Sequence, residues 1–281
     1  MGNLRAMAWQ GKAAAVAVAL VGCGVAWAQG PRTSPFSGRA QYPQFRFLSG
    51  LSGGGFGVDR LGRPNPEGAM ALSTPIGYAL AHGRWAIAAG SANEKGDWDI
   101  AFDDANRQGT NGTAAALYGL GLGSAGRLTA SVMVLSSVGD NVYNLQWQPP
   151  GQEERAVVAS VGVQDAEGTG GTAGDGLPTD GRNSASGFVA ATWEARPGLH
   201  VTLGAGTARF RQGFGSVSWS ALRGVKLMAE HDGYGWNLSG AVNLLGLGRL
   251  PGDPNAVEPQ AQLHVGWVNE RAFYVGLGFA L

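Results

Sequence analysis

Apolar and polar positions alternate with a period of two along most of the chain, in runs of roughly ten residues punctuated by Gly, Asn, Asp and Pro. The last run, 271–281, is the clearest. Phe273, Val275, Leu277, Phe279 and Leu281 fall on one face, and Tyr274, Gly276, Gly278 and Ala280 on the other. Comparable runs cover 68–76, 84–92, 113–122, 128–136, 142–148, 156–163, 186–195, 199–210, 214–222, 225–230, 235–245 and 260–268. Bacterial single-chain barrels take even strand numbers, so the pattern predicts a closed antiparallel transmembrane β-barrel of about 12 strands, within a range of about 10 to 14. Its place is the outer membrane of a Gram-negative bacterium, with outer-membrane lipid and the barrel-assembly machinery as partners.

Within 199–210 the outward candidates are Leu199, Val201, Leu203 and Ala205, and the opposite face holds His200, Thr202, Gly204, Gly206 and Ala208. A face so rich in small residues makes room for a plug, leaves a narrow channel, or allows a tightly curved wall. Trp85, Trp98, Trp147, Trp193, Trp219, Trp236 and Trp267 lie within or near run ends, as interfacial girdles require.

Arg5 and Lys12, the apolar run 13–21 and small residues through Ala28 read as an export signal, 1–28, too short to span a bilayer. Ala26-Trp27-Ala28 fits ordinary signal peptidase. Leu20-Val21-Gly22-Cys23 also resembles a lipobox, which makes Cys23 a lipidation candidate. Residues 29–67, rich in Gly, Pro, Arg and Ser, read as an N-terminal arm, a segment entering the barrel, or a tail; the barrel is expected over 68–281. The stretch 165–184 is the longest later loop, expected to face outward.

Charged residues make up 14% of the chain, and Lys plus Arg balance Asp plus Glu at 20 each, so no overall field recruits nucleic acid. After the signal there is no apolar stretch of about twenty residues, which excludes a helical membrane protein. His82, His200, His231 and His264 show no metal-ligand spacing, and no cofactor is expected. Gly119, Gly121 and Gly123 sit in a strand pattern rather than a strand-turn-helix, so they form no nucleotide fingerprint.

The most distinctive stretch is 225–243. Lys226 and Glu230 share one strand face, His231-Asp232-Gly233 turns the chain, and Asn237, Ser239 and Asn243 share a face of the next strand. Both faces are expected to point into the lumen. Lys226, Glu230, Asp232, Asn237 and Ser239 thus form a candidate polar cluster that either meets a passing solute or satisfies itself.

Leu227-Met228-Ala229-Glu230-His231-Asp232-Gly233 with Trp236-Asn237-Leu238 resembles the Glu-Tyr-Asp-Gly…Asn hairpin of the YjbH-like family of Gram-negative outer-membrane proteins, which are associated with exopolysaccharide. Ser73-Thr74-Pro75, Tyr118-Gly119-Leu120-Gly121, Val161-Gly162-Val163-Gln164-Asp165, Leu203-Gly204-Ala205-Gly206 and Phe214-Gly215-Ser216 stand at comparable places. His231 departs from the family's Tyr, and fuller members are much larger. The resemblance implies a non-enzymatic barrel that assists export or surface assembly of an extracellular polysaccharide, with polysaccharide and export lipoproteins as partners. Two other functions compete: a passive porin or solute channel, suggested by the small inward residues, and a lipid-modifying enzyme using His264 or His231 with serines.

Overall fold

The computed structural model describes residues 45, 48–93, 113–135, 140–168, 185–245, 259–268 and 272–281. The export signal, Cys23, Trp98 and residues 169–184 lie outside them. Twelve antiparallel strands close into one barrel. They are β1 (Trp85–Asn93), β2 (Thr113–Gly121), β3 (Arg127–Leu135), β4 (Asp140–Gln148), β5 (Val157–Gln164), β6 (Ser186–Arg196), β7 (Leu199–Gly206), β8 (Phe214–Leu222), β9 (Val225–His231), β10 (Trp236–Asn243), β11 (Gln260–Val268) and β12 (Ala272–Ala280). Each strand pairs with its chain neighbours. The cylinder is closed by β1 on β12, in register from Ala86↔Ala280 to Asn93↔Phe273. Closure satisfies every wall strand on both sides, which a bilayer demands of any sheet within it.

The alternation divides outside from inside. Leu203 is 67% exposed while its neighbour Thr202 is 2% exposed, and Leu277 and Tyr274 of the last strand divide likewise at 57% and 1%. Ile87, Val134, Leu145, Val217, Leu227, Leu238 and Val265 complete an apolar exterior. Trp85, Trp147, Trp193 and Trp219 lie toward the end where β1 starts and β12 stops, here the terminal end. Trp236, Trp267 and Phe273 lie toward the far end, the last two edge to face at 5.8 Å. An apolar belt between two aromatic girdles makes this a barrel of the Gram-negative outer membrane. The two longest connections, 94–112 and 165–185, join strands at the far end, against the shorter 244–259 at the terminal end, and on that ground the far end is the outward one.

One expected strand is not in the wall. The run 68–76, the thirteenth candidate, is surplus, and the barrel begins at Trp85 rather than at residue 68. Ala69, Met70, Ala71 and Leu72 are all at most 2% exposed, so no face of this run meets lipid. It belongs with residues 48–67 to a segment inside the lumen, where its backbone makes only isolated bridges such as Val58↔Ala69.

Candidate functional site

Residues 48–83 touch side chains from opposite walls of a closed cylinder, which is possible only from within it. The path makes three passes, each fixed by the height of its wall partners. The first runs from the far end to the terminal end: Gln164 Nε2 donates to Ser49 O (2.6 Å), Asn144 Nδ2 to Gly50 O (3.2 Å), His264 Nε2 to Gly55 O (2.8 Å) and Gln260 Nε2 to Gly57 O (3.0 Å). After a turn held by Asp59, whose Oδ1 accepts from Leu61 N and Arg63 N (both 2.9 Å), the chain climbs back. On this second pass Lys226 Nζ meets Gly68 O, Ser218 Oγ accepts from Met70 N (3.2 Å), and Glu230 takes the top. The third pass descends through Gly77 N to Thr192 Oγ1 (2.7 Å), Ala79 N to Gln148 Oε1 (2.9 Å) and Leu80 N to Thr129 Oγ1 (2.7 Å), then turns into β1.

An irregular backbone has no ladder to satisfy its N–H and C=O groups, so buried in a lumen it needs other partners. The inward positions supply them as amides and hydroxyls. Gln146 alone serves two passes: its Oε1 accepts from Ser52 N (3.2 Å), and its Nε2 donates to Ile76 O (2.6 Å). Apolar side chains fill what remains. Phe45, Phe56, Val58, Ile76 and Leu80 are fully buried against Ala86, Ala88, Leu117, Met133, Val142 and Val158 of the wall. The lumen is a packed core.

On β12 and β2 this accounts for small inward residues, whereas on β7 Gly204 gives its space to the Phe214 ring of β8. A Cβ placed on Gly278 would stand 1.7 Å from Gly55 O, and one on Gly119 would stand 2.0 Å from Ala81 O. On this side of the barrel the inserted backbone lies directly on the wall's backbone.

Of the sequence-derived cluster, Lys226, Glu230 and Asn237 all point inward and are at most 2% exposed. The Glu230 carboxylate accepts from Leu72 N (3.0 Å), Ser73 N (2.9 Å), Ser73 Oγ (2.6 Å), Thr74 Oγ1 (3.1 Å) and Asn237 Nδ2 (2.7 Å). Asn237 Nδ2 also reaches Ser73 Oγ at 3.3 Å. Asn237 and Glu230 stand directly opposite in register. Lys226 is one strand height away, near the terminal end, where its Nζ also donates to Ser220 Oγ (3.2 Å). Asp232 belongs to the turn instead: its Oδ1 accepts from Tyr234 N (2.9 Å) and Gly235 N (3.0 Å). Ser239 lies on the inward side across from Gly266, apart from the Glu230 group. The partners that complete the group, Leu72, Ser73 and Thr74, were not among the sequence candidates, although Ser73-Thr74 was singled out as a motif.

At the outward mouth, Arg209 is 2% exposed and lies against the Phe45 and Phe210 rings at 5.7 Å and 5.1 Å. It donates to Gln164 Oε1 (2.8 Å) and Phe45 O (3.1 Å), pinning the start of the first pass. The histidines weighed for lipid chemistry are otherwise engaged. His264 holds Gly55, and His231 Nδ1 accepts from Gly233 N (3.2 Å) within its own turn.

No protein-family model matches the chain. No curated protein matches it either. Among solved structures it is similar to the KdgM porin in complex with disordered oligogalacturonate, at 9% identity over 70% of this chain and 97% of that one, TM-score 0.43. It is likewise similar to the NanC porin, at 7% identity over 70% and 98%, TM-score 0.41. A third is the outer membrane protein Omp33 of Acinetobacter baumannii, at 10% identity over 70% and 96%, TM-score 0.34. The barrel assignment itself rests on the strand pairing of this chain.

Proposed function

We propose that the protein is a non-enzymatic, porin-like outer-membrane barrel held shut by its own residues 48–83, with solute passage along the lumen only when that segment yields. The observation behind this reading is the inner wall. Its Gln, Asn, Ser and Thr side chains have the composition of a polar channel lining, yet at rest they are occupied by the inserted backbone. Burying each large apolar side chain of the segment is worth roughly 1.5–3 kcal/mol, so the shut state dominates without an outside stimulus. Purified protein in planar bilayers is expected to give no steady open steps at low voltage, whereas Glu230→Ala is expected to give frequent ones. Steady opening of the unaltered protein overturns the shut state. A folded Glu230→Ala barrel that stays silent overturns the channel.

A second reading, assistance in export or surface assembly of an extracellular polysaccharide, draws support from one contact. Ser73-Thr74 and the Glu230…Asn237 hairpin, two of the stretches that carry the family resemblance, lie against each other in the lumen. On this reading the sealed barrel is a membrane platform rather than a conduit. Deleting the gene should reduce matrix or capsule, and unchanged surface polysaccharide counts against it.

A further inference from the structure

We propose that the first pass alone, residues 48–57, is the movable part of the seal, and that the track it covers takes uncharged, polyhydroxylated solutes; this rests on the channel reading above. The three passes are not held alike. The second is clamped at single side chains that gather several groups: Glu230 takes the N–H groups of Leu72 and Ser73 and the hydroxyls of Ser73 and Thr74, and Lys226 holds Gly68. The third runs straight into β1 and cannot leave without it. The first carries Gly50, Gly53, Gly54 and Gly55, and neutral amide, hydroxyl and imidazole groups hold it along its length. Its two ends are anchored, at Phe45 by Arg209 and at the Asp59 turn, so the glycine-rich stretch between them can lift off the wall while the other passes stay seated.

The wall it would uncover fixes the solute class. Ser131, Asn144, Gln146 and Gln164 line one side, and Gln260 and His264 the other. Amides present a donor and an acceptor together, the complement of a vicinal hydroxyl pair. Glu230 and Lys226 face the second pass instead, and the Arg209 guanidinium is committed at the mouth to Gln164 Oε1 and Phe45 O, so below the mouth the groups that hold this pass are neutral and give an ion leaving water no compensating charge.

Two measurements on the full chain test this. By hydrogen exchange of the unaltered protein in lipid nanodiscs, the amides of Leu51, Ser52 and Gly54 should exchange before those of Leu72 and Ser73. Simultaneous or reversed exchange overturns the first pass as the movable element. In liposome swelling, Leu51→Ser and Phe56→Ser should admit the neutral trisaccharide raffinose several times faster than the unaltered protein does, and faster than they admit gluconate. Equal entry of the two overturns the solute class. Should Glu230→Ala conduct while the folded first-pass variants admit neither, the track fails and the channel stands. Should all of these variants stay closed, the channel reading itself has failed.

Discussion

Two sides of the same lumen seat the inserted segment by opposite means. Along β8, β9 and β10 the wall reaches inward with long or polar side chains, Ser218, Lys226, Glu230 and Asn237, and grips the segment by hydrogen bonds. Along β12, β1 and β2 it retreats at Ala86, Ala88, Ala115, Gly119 and Gly278, and at the two glycines backbone lies on backbone. A cylinder around an off-centre guest needs both: reach where the gap is wide and smallness where it is narrow. The gripping side tolerates graded change, because a side chain can be trimmed. Gly119 and Gly278 do not, because there is nothing left to remove and no room to add.

The sharpest way to break this contrast is Gly278→Val. Its Cβ would fall within 1.7 Å of Gly55 O, and neither backbone can give way. We expect no heat-modifiable barrel band on a denaturing gel, and a normal band would show that the segment does not rest there. On the gripping side Glu230→Ala leaves buried donors of Leu72, Ser73, Thr74 and Asn237 without their acceptor and should cost about 3–5 kcal/mol, read by urea unfolding in vesicles. The barrel should still form. Ser73→Ala removes one hydroxyl from that carboxylate and should cost about 1 kcal/mol, with clear non-additivity beside Glu230→Ala in a double-mutant cycle. The smallest effect belongs to His231→Tyr, under about 1 kcal/mol. That ring packs edge-on against Trp236 at 5.2 Å in the hairpin turn, outside the grip, and an aromatic replacement keeps that contact while giving up the bond from Gly233 N to Nδ1. A larger loss would extend the grip to the turn.

The wall was legible in the sequence because lipid on one side and a guest on the other impose the same two-residue rhythm from β1 to β12. The run 68–76 carries a similar rhythm, Met70 and Leu72 against Ala69 and Ala71, yet every one of those residues is buried. Pro75 within that run was the available warning, since proline cannot donate to a ladder. Glu230 and Asn237 were legible as inward polar groups on paired strands. Their partners Leu72, Ser73 and Thr74 stand about 160 residues earlier, and an irregular segment has no period from which a register can be read. Composition showed that the inner face was small without showing what occupied the space. That depends on close approaches between distant glycines such as Gly55 and Gly278.

Because the third pass continues without a break into β1, and Gly55 is wedged against β12, the guest is enclosed by the very strands that must meet to finish the ring. The seam that completes the wall is therefore lined by its own contents, and whatever shifts Gly55 acts directly on the closing pair of strands.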